Sequence, residues 1–157
     1  MDVKAVARLQ ADGRESWTRL GETLGVTGPA AAERVRRLEE RGVIRGYAAL
    51  LDPEAVGARL TAFVAVTLEH PKHRRAFLKR VDGLAEVQEC HHVAGDDDYL
   101  LKVRCSGAGH LDRVLSEELK GVPGVLRTRT TIVLGTVKET TMLPLTDDDE
   151  DDDGDRA

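Results

Sequence analysis

A chain of 157 residues with 41% hydrophobic side chains can bury a core as one medium domain or two small ones. Only 3% of the residues are aromatic, so the cores must be built from Leu, Val and Ala, which disfavours an aromatic base-stacking surface. The net charge of -5 misleads as an average, because residues 146–157 (TDDDEDDDGDRA) hold eight of the 28 acids and one of the 23 bases, leaving the rest slightly basic.

In chain order, Val3 to Ala11 places Val6 and Leu9 on one helical stripe and ends at the breaker Asp12-Gly13-Arg14. Ser16 can cap a second helix to about Leu24, with Trp17, Leu20 and Leu24 expected to face inward and Gly25 stopping it. Thr27 can cap a third helix, with Pro29 in its first turn and Gly42 closing it after Arg41. Ala31, Val35 and Leu38 fall on one side of that helix, and Glu33, Arg37, Ala30, Pro29 and Arg36 on the opposite arc. Residues 34–45 hold five Arg against Glu39 and Glu40, a modest basic footprint.

Val43 to Leu51 is rich in β-formers and ends at Leu51-Asp52-Pro53-Glu54, so a strand is expected there, followed by a connector to about Leu60. Beyond it the pattern reads strand Thr61–Glu69, helix Lys72–Val81, strand Glu86–Ala94, strand Tyr99–Cys105, helix Ala108–Leu119 and strand Val125–Leu134. The order βαββαβ is the split, ferredoxin-like arrangement, an antiparallel sheet with both helices on one face. The first strand is apolar on both sides, which predicts a second subunit packing sheet to sheet. His91 and His92, as strand neighbours, are expected on opposite faces.

Residues 16–35 have the spacing of a helix-turn-helix, with Gly21 permitting close approach of two helices and Gly25 the tight turn. Such a unit would lay its third helix in the major groove of double-stranded DNA. Thr27, Pro29, Ala30 and Glu33 would face base edges, and Arg34, Arg36 and Arg37 would face phosphates or guanine. Spacing alone fits equally well a three-helix packing module whose arginines are a solvated face.

Longer runs add a family resemblance. LQADGR (Leu9–Arg14), RVRRLEERGVIRGY (Arg34–Tyr47) and LDPEAVG (Leu51–Gly57) resemble the Lrp/AsnC family of feast/famine regulators. EVQECHHVAGDDDYLLKV (Glu86–Val103) and RTRTTIVLGTVKETTMLPL (Arg127–Leu145) are similar to that family's effector-sensing domain. The resemblance implies an α+β chain. Residues 1–47 would form a winged helix-turn-helix domain, 48–60 a hinge strand and linker, and 61–145 a βαββαβ effector-sensing and oligomerisation domain. Residues 146–157 would be a disordered acidic tail.

It also implies a homodimer, or dimers assembled into tetramers or octamers, and an amino acid or similar small molecule as effector. Carried onto this chain, the effector pocket would comprise Gly95, Asp96, Asp97, Asp98 and Tyr99 with Thr128 and Thr130. The same turn also reads as a plain hairpin loop with solvated acids. Gly28 and Ala31 depart from the family pattern: the smaller Ala31 is expected to weaken the seal between helices, and Gly28 to cost up to about 1 kcal/mol of helix propensity relative to Ala.

No enzyme signature stands out: there is no phosphate-cradling glycine loop, no zinc spacing and no nucleophile with a base and orienter. Catalytic residues, a metal site and a cofactor are therefore not expected. No apolar run approaches the roughly 18–20 residues of a membrane span, and no signal-peptide layout opens the chain. The expected location is cytoplasmic, with Cys90 and Cys105 reduced and no membrane partner.

Overall fold

The computed structural model describes residues 2–146, and all of the acidic tail except Thr146 lies outside the described residues. The chain divides into two compact units. One holds residues up to Ala49 together with those from Lys138 onward, and the other is Leu50–Val137.

The first unit contains α1 (Val3–Ala11), α2 (Trp17–Leu24) and α3 (Gly28–Glu40). Each begins at a side chain that satisfies an orphan amide: Asp2 accepts from the Ala5 N–H, Ser16 from Arg19 and Thr27 from Ala30, at 3.3, 3.3 and 3.4 Å. Leu9, Leu20, Ala31 and Val35 form the core, with Leu24, Val26 and Ile44 against it. α2 ends at Gly25, whose φ of 67° is left-handed. At Gly21 a Cβ would stand 2.7 Å from the Val26 carbonyl oxygen and 3.0 Å from the Gly28 nitrogen, so α2 approaches the start of α3 backbone to backbone.

This geometry corrects two expectations. Gly28 does not carry the helix-interior cost expected of it. It is the first residue of α3, where helix propensity matters little, and a Cβ there would already touch the Trp17 and Thr18 backbone at 3.4 Å. Trp17 is 46% exposed rather than inward, because it opens α2 at the rim of the core, where it lines a groove with Leu9, Gly13 and Tyr47.

No strand forms within the chain over the expected Val43–Leu51: residues 43–59 form turns and irregular chain. The Val43 and Ile44 N–H groups both turn back to the Leu38 carbonyl (2.9 and 3.2 Å) and finish α3. Among the described residues no backbone N–H from Arg45 to Leu51 donates to another backbone group. The composition favours a strand, but a strand needs a neighbour to pair with, and the chain supplies none here. Near the other end, Gln10 on α1 holds Leu143 at both backbone groups. Its Oε1 accepts the Leu143 N–H at 2.7 Å and its Nε2 donates to the Leu143 carbonyl at 3.2 Å.

The second unit runs β1 (Leu60–Leu68), a 3-10 turn (Pro71–His73), α4 (Arg74–Asp82), β2 (Val87–His92) and β3 (Tyr99–Cys105). It continues with α5 (Ala108–Arg113), a π-helical turn (Val114–Leu119) and β4 (Val125–Ile132). The antiparallel sheet has strand order β2-β3-β1-β4, the ferredoxin-like topology. The helix expected over Ala108–Leu119 is therefore α-helical only in its first half; beyond it the Lys120 N–H reaches the Leu115 carbonyl at 2.9 Å.

Ala62, Val64 and Val66 of β1 and Leu101 and Val103 of β3 pack with Phe77 of α4, Leu111 of α5 and Val114 into one core. Both helices thus cover one face. The alternate residues Phe63, Ala65, Thr67, Leu100 and Lys102 lie on the other face, as strand periodicity requires. His91 pairs in register with Leu100 and His92 with Tyr99, so the two histidines do face opposite ways.

Candidate functional site

Burial of Ala31, Val35 and Leu38 (0, 1 and 3% exposed) orients α3 and turns Pro29, Ala30, Glu33, Arg36 and Arg37 outward. On this arc Arg36 donates twice to Glu33, Nε to Oε2 at 3.0 Å and Nη2 to Oε1 at 2.8 Å, and also pairs with Glu40. Arg37 Nε donates to the same Glu33 Oε1 at 3.2 Å. Hydrogen bonds from Arg36 and then Arg37 hold the Glu33 carboxyl below the usual carboxylate range.

The remaining two predicted DNA contacts are placed differently. Thr27 spends its hydroxyl on the cap. Arg34 lies on the flank of the arc and reaches Asp2, the cap of α1, at 3.3 Å. Arg41 and Arg45, just beyond α3, are exposed and pair with no described acid. The arc carries planar donors held only by exposed, exchangeable carboxylates, which suits recognition of phosphate or base edges.

In the second unit the turn Gly95–Asp98 joins β2 to β3. Asp96 is exposed. The Asp97 side chain is only 7% exposed. It accepts from the Thr67 hydroxyl at 2.8 Å, from Arg129 at 2.7 Å and from Arg127 at 3.3 Å. The Thr67 hydrogen bond first, and then the two guanidinium groups, keep its carboxyl below the ordinary aspartate value. Asp98 Oδ2 accepts the Leu68 N–H at 2.7 Å, while its own N–H donates to the Val66 carbonyl at 2.9 Å. Both acids therefore tie the turn to the end of β1.

Tyr99 is 2% exposed and packs on Phe77 in the core, ring centroids 4.9 Å apart. Thr128 and Thr130 stand in register with Val66 and Val64, on the helix-covered side of β4, whereas Asp97 meets Arg127 and Arg129 on the open side. The sheet thus separates the seven predicted effector residues, and they do not converge on one hollow within the chain.

Sequence reasoning missed the Thr67–Asp97–Arg127–Arg129 cluster. The signal was present in the alternation of RTRTT, which puts both arginines on one face, but the partner lies some thirty residues away. It also missed Glu15, whose side chain is 1% exposed and is shared by Arg8 and Arg19. That carboxylate ties the end of α1 to the start of α2.

Comparison with known proteins bears on both units. Residues 1–39 match the AsnC-type helix-turn-helix domain and residues 61–143 match the Lrp/AsnC ligand binding domain. The chain belongs to the Lrp/AsnC family of transcription regulators. It is 41% identical over 147 residues to the leucine-responsive regulatory protein of Haemophilus influenzae, covering 92% of this chain and 89% of that one. Among solved structures it is similar to a transcriptional regulator of Neisseria meningitidis in complex with L-methionine (TM-score 0.87, 32% identity, 91% and 94% of the two chains). It is also similar to a feast or famine regulatory protein of M. tuberculosis complexed with L-methionine (TM-score 0.83, 39% identity, 90% and 95%). In the Lrp/AsnC family member described here, the helix-turn-helix match covers α1 and α2 and all but the last residue of α3. The ligand-domain match covers the whole turn Gly95–Asp98 and its partners on β1 and β4.

Proposed function

We propose that this chain is a cytoplasmic, sequence-specific regulator that inserts α3 into the major groove of double-stranded DNA, works as at least a dimer and is modulated by an amino acid or related metabolite. The observation that carries the reading is the outward arc of α3. Glu33, Arg36 and Arg37 are cross-paired there on a rigid helix whose other side is buried. Arg36 and Arg37 exchange Glu33 for phosphates or guanine, and Pro29 and Ala30 present small apolar surfaces to thymine methyls.

Two features support assembly. The sheet face bearing Phe63, 39% exposed, lies opposite α4 and α5 within its unit, and, among the described residues, 45–51 leave their backbone amides unpaired beside the exposed Leu50 and Leu51. A second copy satisfies both. The L-methionine named with two solved relatives supports an amino-acid effector. Within one chain, Gly95 and Asp96 are the part of the predicted pocket left exposed. The remaining ligands then come from a neighbouring subunit, in keeping with a pocket built between dimers.

Fluorescence anisotropy with the DNA upstream of the protein's own gene, against an unrelated duplex of equal length, tests the reading. The expected preference is about 10³-fold or more at physiological salt. Equal affinity for the two duplexes rejects it. A thermal-shift screen of the twenty amino acids tests the effector, and one that binds the folded state stabilises it by about 2.7 kcal/mol at a hundredfold excess over Kd.

A further inference from the structure

Gln10 grips both backbone groups of Leu143, so the C-terminal stretch is tied to α1 within the helical unit, three residues before the described chain ends at Thr146. Beyond that point follow eight acids among residues 147–157. The same unit carries the Arg36–Arg37 arc and, past its end, Arg41 and Arg45, both exposed and unpaired with any described acid. We propose that residues 147–157 dock on this arginine surface and compete there with DNA phosphate. The inference rests on the reading of α3 as the DNA-contacting helix.

Reach and charge both fit. Eleven residues span up to about 36 Å when extended, whereas packed helices lie about 8–10 Å apart and the 13 residues of α3 cover about 20 Å. A run of carboxylates presents oxygens to guanidinium forks much as a phosphate backbone does. The tether at Leu143 raises the local concentration of those acids over that of any free competitor. Because Arg36 and Arg37 already share Glu33 and Glu40, Arg41 and Arg45 are the first cations the tail engages.

The test compares the full chain, a chain ending at Thr146, and a full-length variant with the eight acids changed to Asn or Gln. DNA affinity is read by anisotropy across a salt series, and the arginine Nε–H resonances by NMR without DNA. At about 50 mM salt the shortened and neutralised chains are expected to bind DNA about tenfold more tightly than the full chain, converging with it by about 0.3 M. The Arg41 and Arg45 resonances should differ between full and shortened chains at low salt and coincide at high salt. Unchanged arginine resonances overturn the docking whatever the DNA result. Shifted resonances with unchanged affinity overturn the competition. If no chain binds DNA, the proposed function fails, and the resonances alone decide whether the tail docks.

Discussion

Replacing Arg36 and Arg37 together with Ala is the perturbation most directly derived from the α3 geometry. Each phosphate contact contributes about 0.9 to the slope of log affinity against log salt, so two contacts per subunit remove about 1.8 from that slope. At about 0.1 M salt this corresponds to roughly a 60-fold loss per subunit. The pairing on α3 makes the true loss larger. Arg36→Ala alone leaves Arg37 to neutralise Glu33, but the double substitution leaves the Glu33 carboxylate bare against the duplex. The two single losses should therefore sum to less than the double loss. Both guanidinium groups are exposed and bury no core, so the melting temperature should barely move. Salt-series anisotropy with circular dichroism measures each quantity, and a slope and affinity equal to wild type would refute the placement of this arc on DNA.

Gly21→Ala forces a Cβ to 2.7 Å from the Val26 carbonyl oxygen, where only backbone can yield, and should cost about 1–3 kcal/mol in urea unfolding; a neutral result would mean that the turn between α2 and α3 is looser than described. Asp98→Ala orphans the Leu68 N–H and should lose about 1–3 kcal/mol, whereas Asp98→Asn keeps an acceptor oxygen and should recover most of it in the same assay. The lowered Asp97 carboxyl stabilises the fold fully above its ordinary value of about 3.9 and progressively less as pH falls through its depressed folded value. The D97N variant should accordingly melt below wild type at neutral pH, with the gap closing as pH falls below the ordinary aspartate value and through the depressed one; a gap independent of pH would remove the assigned role of the charge.

Local chemistry made much of the fold legible. Ser16, Thr27 and Gly25 declare helix ends by mechanisms that depend only on near neighbours, and the observed caps fall on those residues. Turn signals between alternating runs delivered the βαββαβ order for the same reason. Relations between distant segments were not legible. Val43–Leu51 has strand composition, but pairing is decided by what lies alongside. Asp97 reads as a solvated loop acid until β4 brings Arg127 and Arg129 beside it. Thr128 and Thr130 look compatible with the turn until the register with Val66 and Val64 puts them through the sheet from Asp97. Gly28 reads as a weakness until the backbone of α2 is found against it.

The charge pattern of α3 also bears on how such a regulator discriminates. Glu33 and Glu40 balance Arg36 and Arg37, so the outward arc is close to neutral as a whole despite its donors. A near-neutral arc exerts little long-range pull on a random duplex, so on the proposed reading its arginines act at contact, once they have exchanged carboxylate for phosphate or guanine. Discrimination gained there has to come from fit, through bidentate geometry, base edges and apolar contact at Pro29 and Ala30, which differ between sequences. On the same reading, long-range, sequence-independent attraction comes chiefly from the unbalanced Arg41 and Arg45 beyond the end of α3, so that non-specific capture and specific reading rest largely on separable groups. Substituting Arg41 and Arg45 should therefore weaken operator and random DNA alike, whereas changes on the arc should narrow the difference between them.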